Sequence, residues 1–130
     1  MVQESLKVEL PVKPDSAGWS REALAEFRDR LDWNTFTDLQ IIVSELVVDA
    51  VRDDHESDDQ ITLLIELLDR HIRVEMRDGA GAYEPQSERP EPGERGWGVH
   101  LAGLLGDNWR SWREGPRGCV SVQMPLAGAA

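Results

Sequence analysis

The chain has one cysteine, no long apolar run and a shortage of positive charge, and each of these shortages closes off a class of protein. Cys119 alone cannot form an internal disulfide, so nothing in the sequence calls for an oxidising compartment. No stretch stays apolar for long enough to be a signal peptide or a membrane span, and the simplest expectation is a cytoplasmic protein. Against 25 Asp and Glu there are only 14 Lys and Arg, which leaves a net charge of −11. Such a surface repels nucleic acid and anionic lipid, so direct nucleic-acid or membrane binding is not expected. A basic protein partner or a divalent cation is compatible with it, and ATP would need Mg²⁺ or local arginines to offset the field.

What is present reads as one globular domain spanning residues 1–130, with 40% hydrophobic and 30% charged residues. The chain is organised around Thr35–Asp54, where Phe36, Leu39, Val43, Leu46, Val47, Ala50 and Val51 recur at helical spacing and make a broad apolar stripe. Asp38, Glu45, Asp49 and Arg52 return on the opposite face, flanked by Ile41, Ile42 and Val48. Carboxylates with apolar neighbours border a groove or a partner rather than open solvent.

Before this helix, Leu6–Val12 alternates as a half-buried strand, and Ser20 stands as the N-cap of a first helix running to about Leu31. After it come an acidic loop, Asp53–Asp59, and two strands, Ile61–Leu68 and Ile72–Asp78, close enough to form an antiparallel hairpin. In the second strand Ile72, Val74, Met76 and Asp78 share the packed side, while Arg73, Glu75 and Arg77 face water. Residues 79–95 have no periodicity and are long for a connection, as lids are. Gly96-Trp97-Gly98 opens a third helix, and a last hairpin turns at Gly115-Pro116 between Trp109–Glu114 and Cys119–Pro125. Trp109 and Trp112 alternate onto different faces unless a bulge intervenes, one in the core and one free to anchor a partner. The predicted fold is an α/β two-layer sandwich, a mixed and mostly antiparallel sheet covered on one face by about three helices.

Three stretches can carry chemistry together. Glu45 and Asp49, one helical turn apart, have the spacing at which one carboxylate acts as general base while the other holds Mg²⁺ through oxygen. An inward Asp78 followed by Gly79 and Gly81 can accept a hydrogen bond from a base amine while the backbone approaches the ligand closely. Gly96 and Gly98 at a helix start can present free N–H groups to a phosphate. The alternative for each is plain: a solvated acidic face, turn glycines, and loop or helix-start glycines with no ligand. His55 and His71 fall in loops, His100 reads as a packed or surface side chain, and the acidic loop lacks the order of a calcium site.

In this order the stretches resemble the anti-sigma-factor serine kinases (RsbW-like) of the GHKL superfamily, whose ATP-binding domain is shared with histidine kinases, Hsp90, gyrase and MutL. Ser44-Glu45-Leu46-Val47-Val48-Asp49-Ala50-Val51-Arg52 is similar to the family's SELVTNAVRH box, and Arg95-Gly96-Trp97-Gly98-Val99-His100-Leu101 to its second glycine box. The resemblance implies a GHKL, or Bergerat-like, ATPase fold with ATP and Mg²⁺ as cofactors and 79–95 as the ATP lid. It makes Glu45 the base that activates a substrate serine and Asp49 the Mg²⁺ ligand. Arg52, Asp78, Gly79, Gly81, Gly96 and Gly98 become nucleotide-binding residues with Asp49. The implied partners are a sigma factor and an anti-anti-sigma (STAS-type) protein that the kinase phosphorylates, and the implied assembly is a homodimer. Two positions depart from the family. Asp49 stands where the family has Asn, adding a negative charge beside Glu45 and ATP. Asp78-Gly79-Ala80-Gly81-Ala82 stands where the family reads Asp-x-Gly-x-Gly, so either the Asp matches and the glycines are one place early, or the glycines match and Arg77 replaces the Asp. Strand phase favours the first, which leaves Ala80 and Ala82 crowding the adenine site. A module that keeps this fold and has lost ATP chemistry is the other reading.

Overall fold

A computed structural model describes residues 2–53, 60–78, 91, 97–115 and 117–126. In chain order these form β1 (Glu4–Leu10), α1 (Ser16–Ala23), a 3₁₀ segment (Leu24–Arg30), α2 (Trp33–Asp53), β2 (Ile61–Leu67), β3 (His71–Asp78), α3 (Trp97–Leu105), β4 (Asp107–Glu114) and β5 (Arg117–Pro125). The five strands make one sheet in the order β1-β2-β3-β5-β4, and all four pairings are antiparallel. With the helices packed on one face this is the α/β two-layer sandwich expected from the alternating strands.

The register shows how alternation becomes a core. Leu6, Ile65, Val74 and Val122 stand opposite one another across four strands, and Val8, Leu63, Met76 and Val120 form the next row. Both rows face the helices, since side chains two residues apart share a face. From α2, Phe36, Leu39, Ile42, Val43, Leu46, Val47 and Ala50 complete the same cluster. Leu24 and Phe27 join it from the 3₁₀ segment. Each fully buried aliphatic or aromatic side chain here contributes about 1.5–3 kcal/mol of burial.

Local chemistry sets the element ends. Asp32 caps α2: one carboxylate oxygen accepts the Thr35 hydroxyl and the other accepts the Thr35 N–H at 3.4 Å, while the Phe36 N–H bonds the Asp32 carbonyl at 2.9 Å. The helix therefore starts two residues before the Thr35 expected from periodicity. Ser20 is not an N-cap. It lies inside α1 with its hydroxyl donating to the Ala17 carbonyl at 2.6 Å, and α1 begins at Ser16, whose hydroxyl reaches the Pro11 carbonyl at 2.5 Å. Rather than one helix to Leu31, the chain tightens into 3₁₀ from Leu24. Gly115 turns the last hairpin at φ +60°, a backbone conformation that side chains with a Cβ disfavour.

Candidate functional site

Glu45, Asp49 and Asp78 are held by the helix layer and the sheet end beneath it. The α2 backbone carries Glu45 half-buried and Asp49 buried, at 7% exposure. One residue before Glu45, the buried Ser44 hydroxyl donates back to the carbonyls of Gln40 at 2.7 Å and Ile41 at 3.3 Å, which satisfies it inside the helix. Ile42, expected to flank the polar stripe, is fully buried in the core; Ile41 is the exposed neighbour at 39%. The carboxylates thus stand on a helix whose apolar arc is wider than the sequence stripe indicated.

Asp78 ends β3 opposite Gly118 and is also 7% exposed. Arg77, one residue earlier, belongs to the other face and pairs with Glu75 at 3.2 Å and Glu114 at 2.8 Å. In strand phase, then, the buried acid at this end is Asp78. The helix bearing Asp49 packs against α3 and touches β3, the strand that Asp78 ends. Both acids make interactions of their own. A buried carboxylate is costly unless it is paired or hydrogen-bonded, and Asp49 and Asp78 are each buried.

Arg52 is in α2 and Gly98 in the first turn of α3, beside Trp97, whose ring lies 5.5 Å from that of His100. Gly79, Gly81, Gly96, the alanines at 80 and 82, the lid residues other than Glu91, and the acidic loop 54–59 lie outside the described residues. Among the described residues no three His, Cys, Asp or Glu side chains cluster as a metal site. Mg²⁺ on a nucleotide needs no such cluster, because it is bound through one or two carboxylates plus the phosphates. Asp49 is a chemically fitting donor of that kind.

A second group of residues was not legible as a group. On the sheet face away from the helices, one cavity of about 310 Å³ is lined by residues that include Lys7, Thr62, Glu75, Arg77 and Arg117. Another of about 430 Å³ is lined by residues that include Arg73, Arg110, Ser121 and Gln123. Neither is lined by Glu45, Asp49 or Asp78. Glu75 is buried between Arg73 at 3.6 Å and Arg77 at 3.2 Å. Burial works against the charge of Arg77, yet its hydrogen bond to Glu75 and the fields of Glu114 and Glu75 leave its pKa raised. Burial likewise pushes the Cys119 thiol up; Arg77 opposes this, and Glu114 adds to it by its charge and as acceptor of the thiol at 3.7 Å. The only signal in the sequence was outward phase on separate strands.

No protein-family model matches this chain, and no curated protein matches it. Among solved structures it is similar to the crystal structure of the RsbU and RsbW domains of Rv1364c from Mycobacterium tuberculosis, with a TM-score of 0.74 at 19% sequence identity. The match covers 95% of this chain and 32% of that one, so the chain spans about a third of the solved chain it resembles. This likeness is one of fold alone. Among the described residues no helix is long and apolar enough to cross a membrane.

Proposed function

We propose that the chain is an ATP-binding switch protein of the kind that the anti-sigma-factor serine kinases exemplify, binding a sigma factor and phosphorylating an anti-anti-sigma protein of STAS type. The observation that carries the reading is the pair of buried acids, Asp49 on α2 and Asp78 at the end of β3, in a fold similar to that of the Rv1364c domains. In this reading Asp78 accepts the adenine amine, and Arg52 and the glycines at 79, 81, 96 and 98 lie along the nucleotide. Mg²⁺, when bound, supplies charge neutralisation at the phosphates. Asp49 is its protein ligand. Glu45, one turn away and half-buried, takes the proton of the attacking serine. Residues 79–95 close over the nucleotide, and the protein works as a homodimer.

A second reading is favoured by Asp49 itself. A buried carboxylate where the family has Asn puts a second negative charge beside the phosphates, in a chain already at −11. A module that binds its partners without nucleotide would retain the fold and tolerate that charge. One experiment separates the two. A ligand that binds only the folded state raises apparent stability as RT ln(1 + [L]/Kd), so ATP at about 100 times its Kd adds about 2.7 kcal/mol. The melting temperature is expected to climb with ATP in the presence of Mg²⁺. A flat profile to millimolar ATP would replace the kinase reading by the nucleotide-free module.

A further inference from the structure

The sheet face opposite the helices concentrates cations in an acidic protein. The walls of its two cavities hold Lys7, Arg73, Arg77, Arg110 and Arg117 against Glu9 and Glu75, whereas the chain as a whole is at −11. Glu75 is already neutralised between Arg73 and Arg77. Arg117 has no carboxylate partner among the described residues: its guanidinium bonds the Thr62 hydroxyl at 3.2 Å, the Arg77 carbonyl at 3.0 Å and the Gln60 carbonyl, and its Nε is buried without a partner. Lys7 and Arg110 are exposed and enter no ion pair among the described residues. Arg110 instead lies 5.1 Å over the Trp112 ring.

The register says what shape of ligand this suits. Lys7, Leu64, Glu75, Ser121 and Arg110 form one row across all five strands, so Lys7 and Arg110 occupy opposite edges. Four strand spacings of about 4.8 Å put their backbones about 19 Å apart. No single phosphate or carboxylate spans that. An extended chain of about six residues, at about 3.3 Å each, does. From this charge complementarity we infer that the open sheet face is a docking surface for an acidic polypeptide segment lying across the strands, with carboxylates at the Lys7–Arg117 end and at the Arg110–Trp112 end. An oligonucleotide fits less well, because its continuous phosphates would also meet Glu9, Glu66 and Glu114 on this face and a repulsive field around it. The inference is independent of any nucleotide at the helix layer.

The probe is a fluorescein-labelled hexapeptide with carboxylates only at its two ends, Glu-Glu-Ser-Gly-Glu-Glu, followed by fluorescence anisotropy at low salt with the full chain. Saturable binding is expected. The double variant Lys7→Glu/Arg110→Glu should weaken it at least tenfold, and Lys7→Gln/Arg110→Gln, which adds no repulsion, should weaken it less; both sites are exposed, and unchanged circular dichroism will confirm the fold. Glu9→Gln, which removes a wall carboxylate, should tighten it. No saturation at millimolar peptide, or equal affinity in the Glu double variant, would overturn the inference. So would tighter binding of labelled hexauridylate, or displacement of the peptide by an equal concentration of inorganic phosphate. A wild-type dimer that the Glu double variant splits, with no peptide binding, would assign the face to a second copy instead.

Discussion

At Asp49 a single oxygen-for-nitrogen difference bears on the whole nucleotide question. Asp49→Asn keeps shape and an oxygen donor while removing one negative charge, so under the kinase reading Mg·ATP affinity should rise, measured by titration calorimetry. If it stays undetectable, the obstacle lies elsewhere, with Ala80 and Ala82 the next suspects. Cys119 supports a sharper prediction. Its thiol is fully buried and its pKa lies above the ordinary 9.0, and since the thiolate is the nucleophile, raising the pKa lowers the reactive fraction at pH 8. Ellman's reagent should modify the native protein more than about tenfold more slowly than the urea-unfolded chain, with the native rate climbing as pH rises. Native and unfolded rates that coincide would mean the sheet face does not cover this residue. Little of this was legible in the sequence: alternation told that Arg77 points away from Asp78, but it put Glu75 in water, whereas Glu75, Cys119 and Ser121 are buried on that face where β3 and β5 pair. Sequence periodicity sees one strand at a time.

Among the elements, α2 decides the fold, and its legibility was uneven. Its apolar repeat predicted the burial of Phe36, Leu39, Val43, Leu46, Val47 and Ala50 because tertiary packing followed the 3.6-residue period there, but it left out Ile42, which the core also takes in. Its start was misplaced, since the capping Asp32 lies before the repeat, where periodicity has no reach. Ser20 misled in the opposite way, as a good cap residue used inside α1 for a bond to the Ala17 carbonyl. These differences are testable by stability. Leu46 is fully buried, so Leu46→Ala should cost about 2–5 kcal/mol, while Ile41→Ala at 39% exposure should cost far less, and urea midpoints will rank them. Asp32 adds a pH signature. Its pKa is lowered, chiefly by the hydrogen bond from the Thr35 side chain. A lowered carboxylate pKa stabilises the fold above the ordinary 3.8, and that contribution is lost as pH falls through the folded value. Asp32→Ala should therefore lower the melting temperature at pH 7, and the gap to wild type should narrow as pH falls below the ordinary 3.8. A gap that persists unchanged in acid would mean the cap acts by something other than charge.

For the molecule as a whole, the dominant quantity is the imbalance of charge. Folding compresses a net charge of −11 into a chain of 14.6 kDa, and like charges brought together destabilise the compact state. The described ion pairs do little to offset this, because side chains exposed as Arg30–Glu4 or Arg77–Glu114 are contribute about 0–1 kcal/mol each. Salt screens the repulsion over a Debye length that shrinks from about 30 Å at 0.01 M to about 8 Å at 0.15 M. The melting temperature at pH 7 should thus rise when NaCl is raised across that range, the reverse of what a fold held by surface ion pairs would show. Near the isoelectric point of about 4.6 the net repulsion disappears, and the same addition of salt should have little effect or should lower the melting temperature. The experiment needs both pH values at one protein concentration, with light scattering to hold the assembly state constant, because a dimer that forms on screening would also raise the melting temperature. A salt effect of the same sign and size at pH 7 and pH 4.6 would show that net charge is not its cause, and would shift the explanation to salting-out of apolar surface, for which exposed Trp33 and Leu104 are the first side chains to replace.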